Sequence, residues 1–192
     1  MSPERRAELF GAVRELLVEA GYERLTFDAV AARARTSKAT LYRQWGSKSG
    51  LVMAALTQGE AKHPPLIENV EEISLDEAFA QLARTDRMTD RELRMGFMLL
   101  NAASSDPEFG DALREEIIVP AVDELAGIFE AAAERGEIAR DSSLFTRLAY
   151  VILTDLAFFP LLNGQTGNRA DREEMFRTVI RPALSFTGRS NP

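Results

Sequence analysis

Apolar residues recur at helical spacing from the first turns of the chain. Leu9, Phe10, Val13, Leu16 and Leu17 fall at i, i+1, i+4, i+7 and i+8, one face of a helix over about residues 4–20. Gly21 follows as a helix-ending residue. Thr26 is placed to cap a short helix, "FDAVAARA", with Asp28 in its first turn where the helix dipole favours an acid. Ser37 can cap the next, "KATLYRQW", which Gly46 stops, and Ser47 can cap a fourth running to about Lys62. His63-Pro64-Pro65 cannot continue a helix. Beyond it, Ser74-x-x-Glu77 and Thr89-x-x-Glu92 read as capping boxes for helices over about 75–87 and 90–104. Asp106-Pro107 opens a helix over about 107–134, with a kink or break expected at Pro120. A strongly apolar helix over about 142–162, disturbed late by Pro160, and a last one over about 171–186 complete the pattern. Nothing reads as a strand, so the expected fold class is all-α.

Charge divides the chain unevenly. The formal net charge is −7. Residues 1–50 hold nine basic and six acidic residues, a net of +3, and the remainder holds 14 and 24, a net of −10. Over 24–50 there are six basic residues against the single acid Asp28, and "SKATLYRQWGSKSGL", residues 37–51, has no acid at all. A cationic head on an acidic body is the electrostatic footprint of phosphate binding. A carboxylate within 37–51 would repel phosphates, and the acidic body is expected to face away from them.

The second and third predicted helices are short and tightly linked through Arg35-Thr36, the layout of a helix-turn-helix whose second helix enters the DNA major groove. On a helical wheel Leu41 and Trp45 face the core. Ala39, Thr40 and Arg43 lie opposite, with Lys38, Tyr42 and Gln44 on the flanks. Small, hydroxylic, cationic and amide groups of this kind reach base edges and phosphates. Lys48 follows the Ser47 cap, where the dipole disfavours a cation unless a phosphate docks beside it. Candidate DNA contacts are therefore Thr26, Arg35, Ser37, Lys38, Ala39, Thr40, Tyr42, Arg43, Gln44 and Lys48. Lys38, Tyr42 and Lys48 are expected mainly on phosphates, Thr40 and Arg43 on base edges.

The string "TFDAVAARARTSKATLYRQWGSKSGL" resembles the DNA-binding region of the tetracycline-repressor (TetR) family of transcriptional regulators, over about residues 5–55. "RGEI" (135–138) and "LLNG" (161–164) match more loosely. The resemblance implies a three-helix head, about 1–47, and a larger helical ligand-binding and dimerisation domain, about 48–192, with the fourth helix shared. It implies a homodimer through the last two helices, a near-palindromic double-stranded operator, and repression released by a small molecule. Departures from the family pattern are Arg35 where a small residue is common, Trp45 for Phe, and Gly50 where the fourth helix often carries Glu.

The region 75–160 is rich in large apolar side chains. Helices 75–87, 90–104, 107–134 and 142–162 are expected to enclose a mostly apolar cavity. Its candidate lining is Phe79, Leu82, Met95, Met98, Asn101, Phe129, Tyr150, Asp155 and Phe158, suited to a hydrophobic effector, cationic if Asp155 is in the wall. Asp155 also suits, and rather favours, a structural role, pairing with an Arg across a dimer interface. A DNA-binding regulator answering to a protein partner, with no small-molecule effector, is the alternative. An enzyme is disfavoured: there is no Cys, and His63 is the only His, so Glu60-Ala61-Lys62-His63 cannot form a symmetric di-metal site within one chain. No metal or cofactor is expected. No apolar run reaches the roughly 18 residues of a membrane span. The N-terminus lacks the apolar core of a signal peptide, so a cytoplasmic location is expected.

Overall fold

A computed structural model of the chain describes residues 1–58, 65–84, 90–163 and 169–185. The described residues are helical and contain no strand. The helices are α1 (Pro3–Ala20), α2 (Phe27–Arg33), α3 (Lys38–Trp45), α4 (Lys48–Thr57), α5 (Leu75–Arg84), α6 (Asp90–Ser105), α7 (Pro107–Leu113), α8 (Val119–Glu134), α9 (Ser142–Asn163), α10 (Arg169–Met175) and α11 (Arg181–Ser185). None of them is long and apolar enough to cross a membrane. Glu60, His63 and Thr89 lie outside the described residues.

Two compact units form, and they do not follow chain order: residues 1–64 with 91–119, and residues 65–90 with 120–192. In the first unit α1 buries Leu9, Phe10, Val13 and Leu17 on the expected face. They meet Tyr22, Leu25, Val30, Leu41, Leu51, Met53, Leu99 and Phe109 in one apolar cluster. Each fully buried Leu or Phe contributes roughly 1.5–3 kcal/mol. Leu41 is fully buried, and half-buried Trp45 sets its ring edge-on to Phe10 at 5.9 Å, as the wheel requires.

The second unit is built around aromatic rings. Phe79 of α5 stacks on Phe176 at 4.7 Å and meets Phe129 of α8 edge-on at 6.2 Å, while Phe129 packs on Phe145 of α9 at 5.6 Å. The "RGEI" segment ties this core to the start of α5. Gly136, at φ 78°, ends the turn after α8. Glu137 then accepts the N–H of Leu75 at 2.9 Å, an otherwise unpaired donor of the first turn of α5. Arg135 pairs with Glu137 at 2.6 Å and donates to the Val70 carbonyl at 2.9 Å.

Several expectations need adjusting. The fourth helix stops at Thr57, with Gln58 as its C-cap, rather than at Lys62. The helix over 107–134 does not break at Pro120. Instead one π-turn, Arg114–Ile118, joins α7 to α8. A second π-turn, Phe176–Ile180, joins α10 to α11, and Pro182 follows it at the same spacing. A proline lacks the N–H that the carbonyl four residues earlier needs, and widening the preceding turn relieves both that loss and the ring clash. Pro160 does not interrupt α9, which continues to Asn163. Asp141 caps α9 by accepting the N–H of Leu144 at 3.0 Å.

Candidate nucleic-acid interface

α2 and α3 are each opened by a side-chain cap and closed by a backbone N–H, of Ala34 and Gly46 respectively. Thr26 Oγ1 accepts the N–H of Ala29 at 3.2 Å, and Ser37 Oγ accepts that of Thr40 at 3.1 Å. The Ser37 and Thr40 hydroxyls also share a hydrogen bond of 2.8 Å. Between the helices the chain reverses through Arg35, whose φ of 48° lies in the left-handed region that L-residues rarely occupy. The turn is held from α1. The Arg5 guanidinium donates to the carbonyls of Ala34 and, at 2.9 Å, of Arg35. Arg33 pairs with Glu19 at 2.7 Å and Glu15 at 3.2 Å, both on α1.

α3 therefore stands on a fixed base and exposes Lys38, Ala39, Tyr42, Arg43 and Gln44, with Thr40 half-buried. Tyr42 does two things at once: its ring packs against Phe27 at 4.2 Å while 49% of the residue stays exposed. Lys38 is paired with Asp28 at 2.8 Å, and the bonded carboxylate raises the pKa of its ammonium. Arg35 and Arg43 project guanidinium groups that have no ion-pair partner among the described residues.

At the turn into α4, Gly46 adopts φ 72°, and Ser47 Oγ accepts the N–H of Gly50 at 3.1 Å. A Cβ on residue 50 would lie 2.6 Å from the Trp45 carbonyl oxygen, so the tight approach of α3 and α4 requires glycine there. The Lys48 ammonium does not extend into solvent. It sits 4.1 Å from the centre of the Tyr22 ring and donates to the Tyr22 carbonyl at 3.3 Å.

Sequence reasoning missed the carboxylates that reach this turn. Tyr22 donates its phenolic O–H to Asp106 at 2.6 Å, and its ring packs on Phe109 at 4.4 Å. Glu108 Oε1 accepts the hydroxyls of Ser47 at 2.8 Å and of buried Ser49 at 2.7 Å. The Tyr22 bond is the main cause holding Asp106 below its ordinary pKa, and the two serine hydroxyls do the same for Glu108. Burial first, then Asp106, raises the Tyr22 phenol. The acid-free run 37–51 thus has acids brought to it from α7 and, through Lys38, from α2.

The nine candidate ligand residues are divided between the units. In the second, Phe79, Leu82 and Phe129 are buried core, Asp155 and Phe158 are half-buried, and Tyr150 is 44% exposed. Burial raises the pKa of Asp155, the Arg172 charge opposes this, and Asp171 adds to it. In the first, Met95 and Met98 pack against the apolar cluster and Asn101 is exposed, its carbonyl accepting the Ser104 and Ser105 hydroxyls. A cavity of about 90 Å³, lined by Leu75, Glu137, Ile138, Arg181, Leu184 and Ser185, includes none of the nine.

A capped helix pair on a rigid base, with a cationic and hydroxylic outer face on its second helix, defines a helix-turn-helix DNA-binding head on an all-α body. Comparison with known proteins gives the family. Residues 9–55 match the bacterial regulatory proteins of the tetR family, and residues 70–179 match the tetracyclin repressor-like C-terminal domain. An HTH-type transcriptional regulator of Mycobacterium tuberculosis is 36% identical over 187 residues, spanning 94% of this chain and 88% of the relative. The DNA-binding transcriptional repressor TetR of Mycobacteroides abscessus is 29% identical over 184 residues, 93% and 95% of the two chains. The multidrug binding protein EbrR, solved with imidazole, shares the fold at a TM-score of 0.65 with 19% identity, covering 92% of this chain and 89% of its own. The chain belongs to the TetR family and is a helix-turn-helix, DNA-binding transcriptional regulator.

Proposed function

We propose that this regulator is a homodimeric repressor that reads a near-palindromic operator with α3 and leaves it when a hydrophobic small molecule binds. The observation that carries the DNA reading is the outer face of α3: exposed Arg43 and Gln44, with no ion-pair partner for Arg43 among the described residues, on a capped helix with a fixed base. Arg43 and Thr40 address base edges. Lys38, Tyr42, Lys48 and Arg35 address phosphates. Thr26 and Ser37 accept backbone N–H groups as caps; the Thr26 hydroxyl keeps its own proton to donate to a phosphate oxygen, and the Ser37 hydroxyl does so when Thr40 is the donor in their shared hydrogen bond. One head offers few base contacts, so two must act together on half-sites about one helical turn apart. Exposed Val151 on α9 and Val179 in the π-turn before α11 are large apolar groups that suit burial against a second copy. Residues 1–47 act as the DNA-binding domain and 48–192 as the ligand and dimer domain, in the cytoplasm with the DNA.

Effector release draws on the likeness to EbrR, a multidrug binding protein also solved with proflavin. Phe79, Leu82, Phe129, Tyr150, Asp155 and Phe158 of the second unit are its proposed lining, and their packing must part for entry. The packed state of Phe79, Leu82 and Phe129 favours a second reading, control by a protein partner. Selection of bound duplexes from random DNA, followed by salt-titrated anisotropy, tests the DNA reading. Lys48→Ala is expected to weaken all sequences alike and lower the salt slope by about 0.9, one phosphate contact. Light scattering is expected to give a dimer of twice 21.3 kDa; a monomer with and without DNA contradicts it. Thermal-shift hits among hydrophobic compounds should also weaken operator binding, with a coupling of about 1–3 kcal/mol. Hits that stabilise the protein and leave the operator complex intact would leave the partner-controlled reading.

A further inference from the structure

We infer that Glu108 acts as an internal competitor of the DNA phosphate at the start of α4, a positioning residue that lowers operator affinity. The inference rests on the reading of Lys48 and the α4 start as a phosphate contact. Three groups at that end of the helix could serve a phosphate: the Ser47 hydroxyl, the positive end of the ten-residue helix, and the Lys48 ammonium. All three are engaged within the chain. Glu108 holds the Ser47 and Ser49 hydroxyls at 2.8 and 2.7 Å, and its carboxylate lies beside the helix start. Lys48 is drawn onto the Tyr22 ring and carbonyl, with the Asp106 carboxylate bonded to the far end of that same tyrosine. The two carboxylates stand two residues apart, at the N-cap and in the first turn of α7, so one helix start supplies both.

An incoming phosphate meets Glu108 in one of two ways. It displaces the carboxylate from the serine hydroxyls, breaking two charge-assisted hydrogen bonds, or it docks beside a like charge. Both weaken binding without touching a base. The acid nevertheless belongs to the folded head, because the same bonds hold α7 against α4. Glu108 thus stabilises the fold and opposes DNA, two effects of opposite sign from one side chain.

Opposite signs make the inference testable. Operator affinity is measured by anisotropy on a selected duplex for the full-length wild type, Glu108→Gln and Asp111→Asn. Asp111 is an exposed acid of the same helix, paired with Arg114, so both variants remove one negative charge. Glu108→Gln is expected to bind about three- to tenfold tighter, with the gain shrinking as salt rises, and to melt at a lower temperature than wild type. Asp111→Asn is expected to change affinity by less than about twofold. Equal gains in the two variants would make the effect one of net charge and overturn the inference. Unchanged or weaker binding by a folded Glu108→Gln would overturn it as well. If wild type and variant alike bind no duplex at any salt, the DNA reading itself falls, and the inference with it.

Discussion

α2 and α3 are neighbours of seven and eight residues, each opened by a hydroxyl cap and each anchored by buried apolar groups, yet they dispose of their charges differently. Arg33 of α2 is bound by two glutamates of α1, and Arg5 of α1 closes the turn by holding its carbonyls. On α3 and in the turn before it, Arg43 and Arg35 have no carboxylate among the described residues. A cation paired at home holds the scaffold in place. A cation left unpaired on a rigid short helix is free for an outside anion. Lys38 stands between the two cases, bound to Asp28 on an exposed surface where a phosphate can take over the pairing.

The largest break in the comparison comes from beneath α3. Leu41→Ala empties a fully buried site and is expected to cost about 2–5 kcal/mol of stability in urea denaturation, with DNA binding lost as a consequence. Arg43→Ala should leave the melting curve in place and cost about 1–3 kcal/mol of operator affinity, with relaxed preference at the base it reads. Arg35→Gly sharpens the contrast, because its two effects oppose each other. Relief of the left-handed backbone is expected to stabilise the head by about 1 kcal/mol, while loss of the guanidinium weakens binding and lowers the salt slope by about 0.9. The smallest effect is expected from Arg33→Ala, a slight drop in melting temperature with operator preference unchanged, since its partners are exposed. The Arg33 hydrogen bond holds the Glu19 pKa below its ordinary value. That contribution is present above the unfolded-state pKa and is lost as pH falls through the lower folded value, so Arg33→Ala should flatten the acid limb of the stability curve.

Features whose partners lie within one turn were legible in the sequence. The caps at Thr26, Ser37, Ser47 and Asp106 and the reciprocal Ser74–Glu77 box all join residues three apart, and periodicity placed Leu41 and Trp45 inward. Features whose partners lie far along the chain were not. Tyr22 and Asp106 are 84 residues apart and Ser47 and Glu108 are 61 apart, and no local spacing announces either bond. Pro120 signalled a disturbance correctly but not its form, because a π-turn and a break begin from the same missing N–H. A wheel marks an apolar face without saying whether it closes on itself or lines a cavity. Phe79, Leu82 and Phe129, expected as lining, are buried core. Gly50 looked like a lost capping acid, whereas the closeness of the Trp45 carbonyl explains it sterically.

The central claim is that Arg43 on the outer face of α3 reads sequence while Arg33, the paired cation of α2, does not. The direct measurement is operator affinity of wild type, Arg43→Ala and Arg33→Ala on the selected duplex and on its single-base variants, at fixed salt. The expected result is that wild type and Arg33→Ala discriminate alike, while Arg43→Ala loses about 1–3 kcal/mol of discrimination at one position of each half-site and none elsewhere. Equal discrimination by all three proteins, or a loss spread evenly over every position, would contradict it.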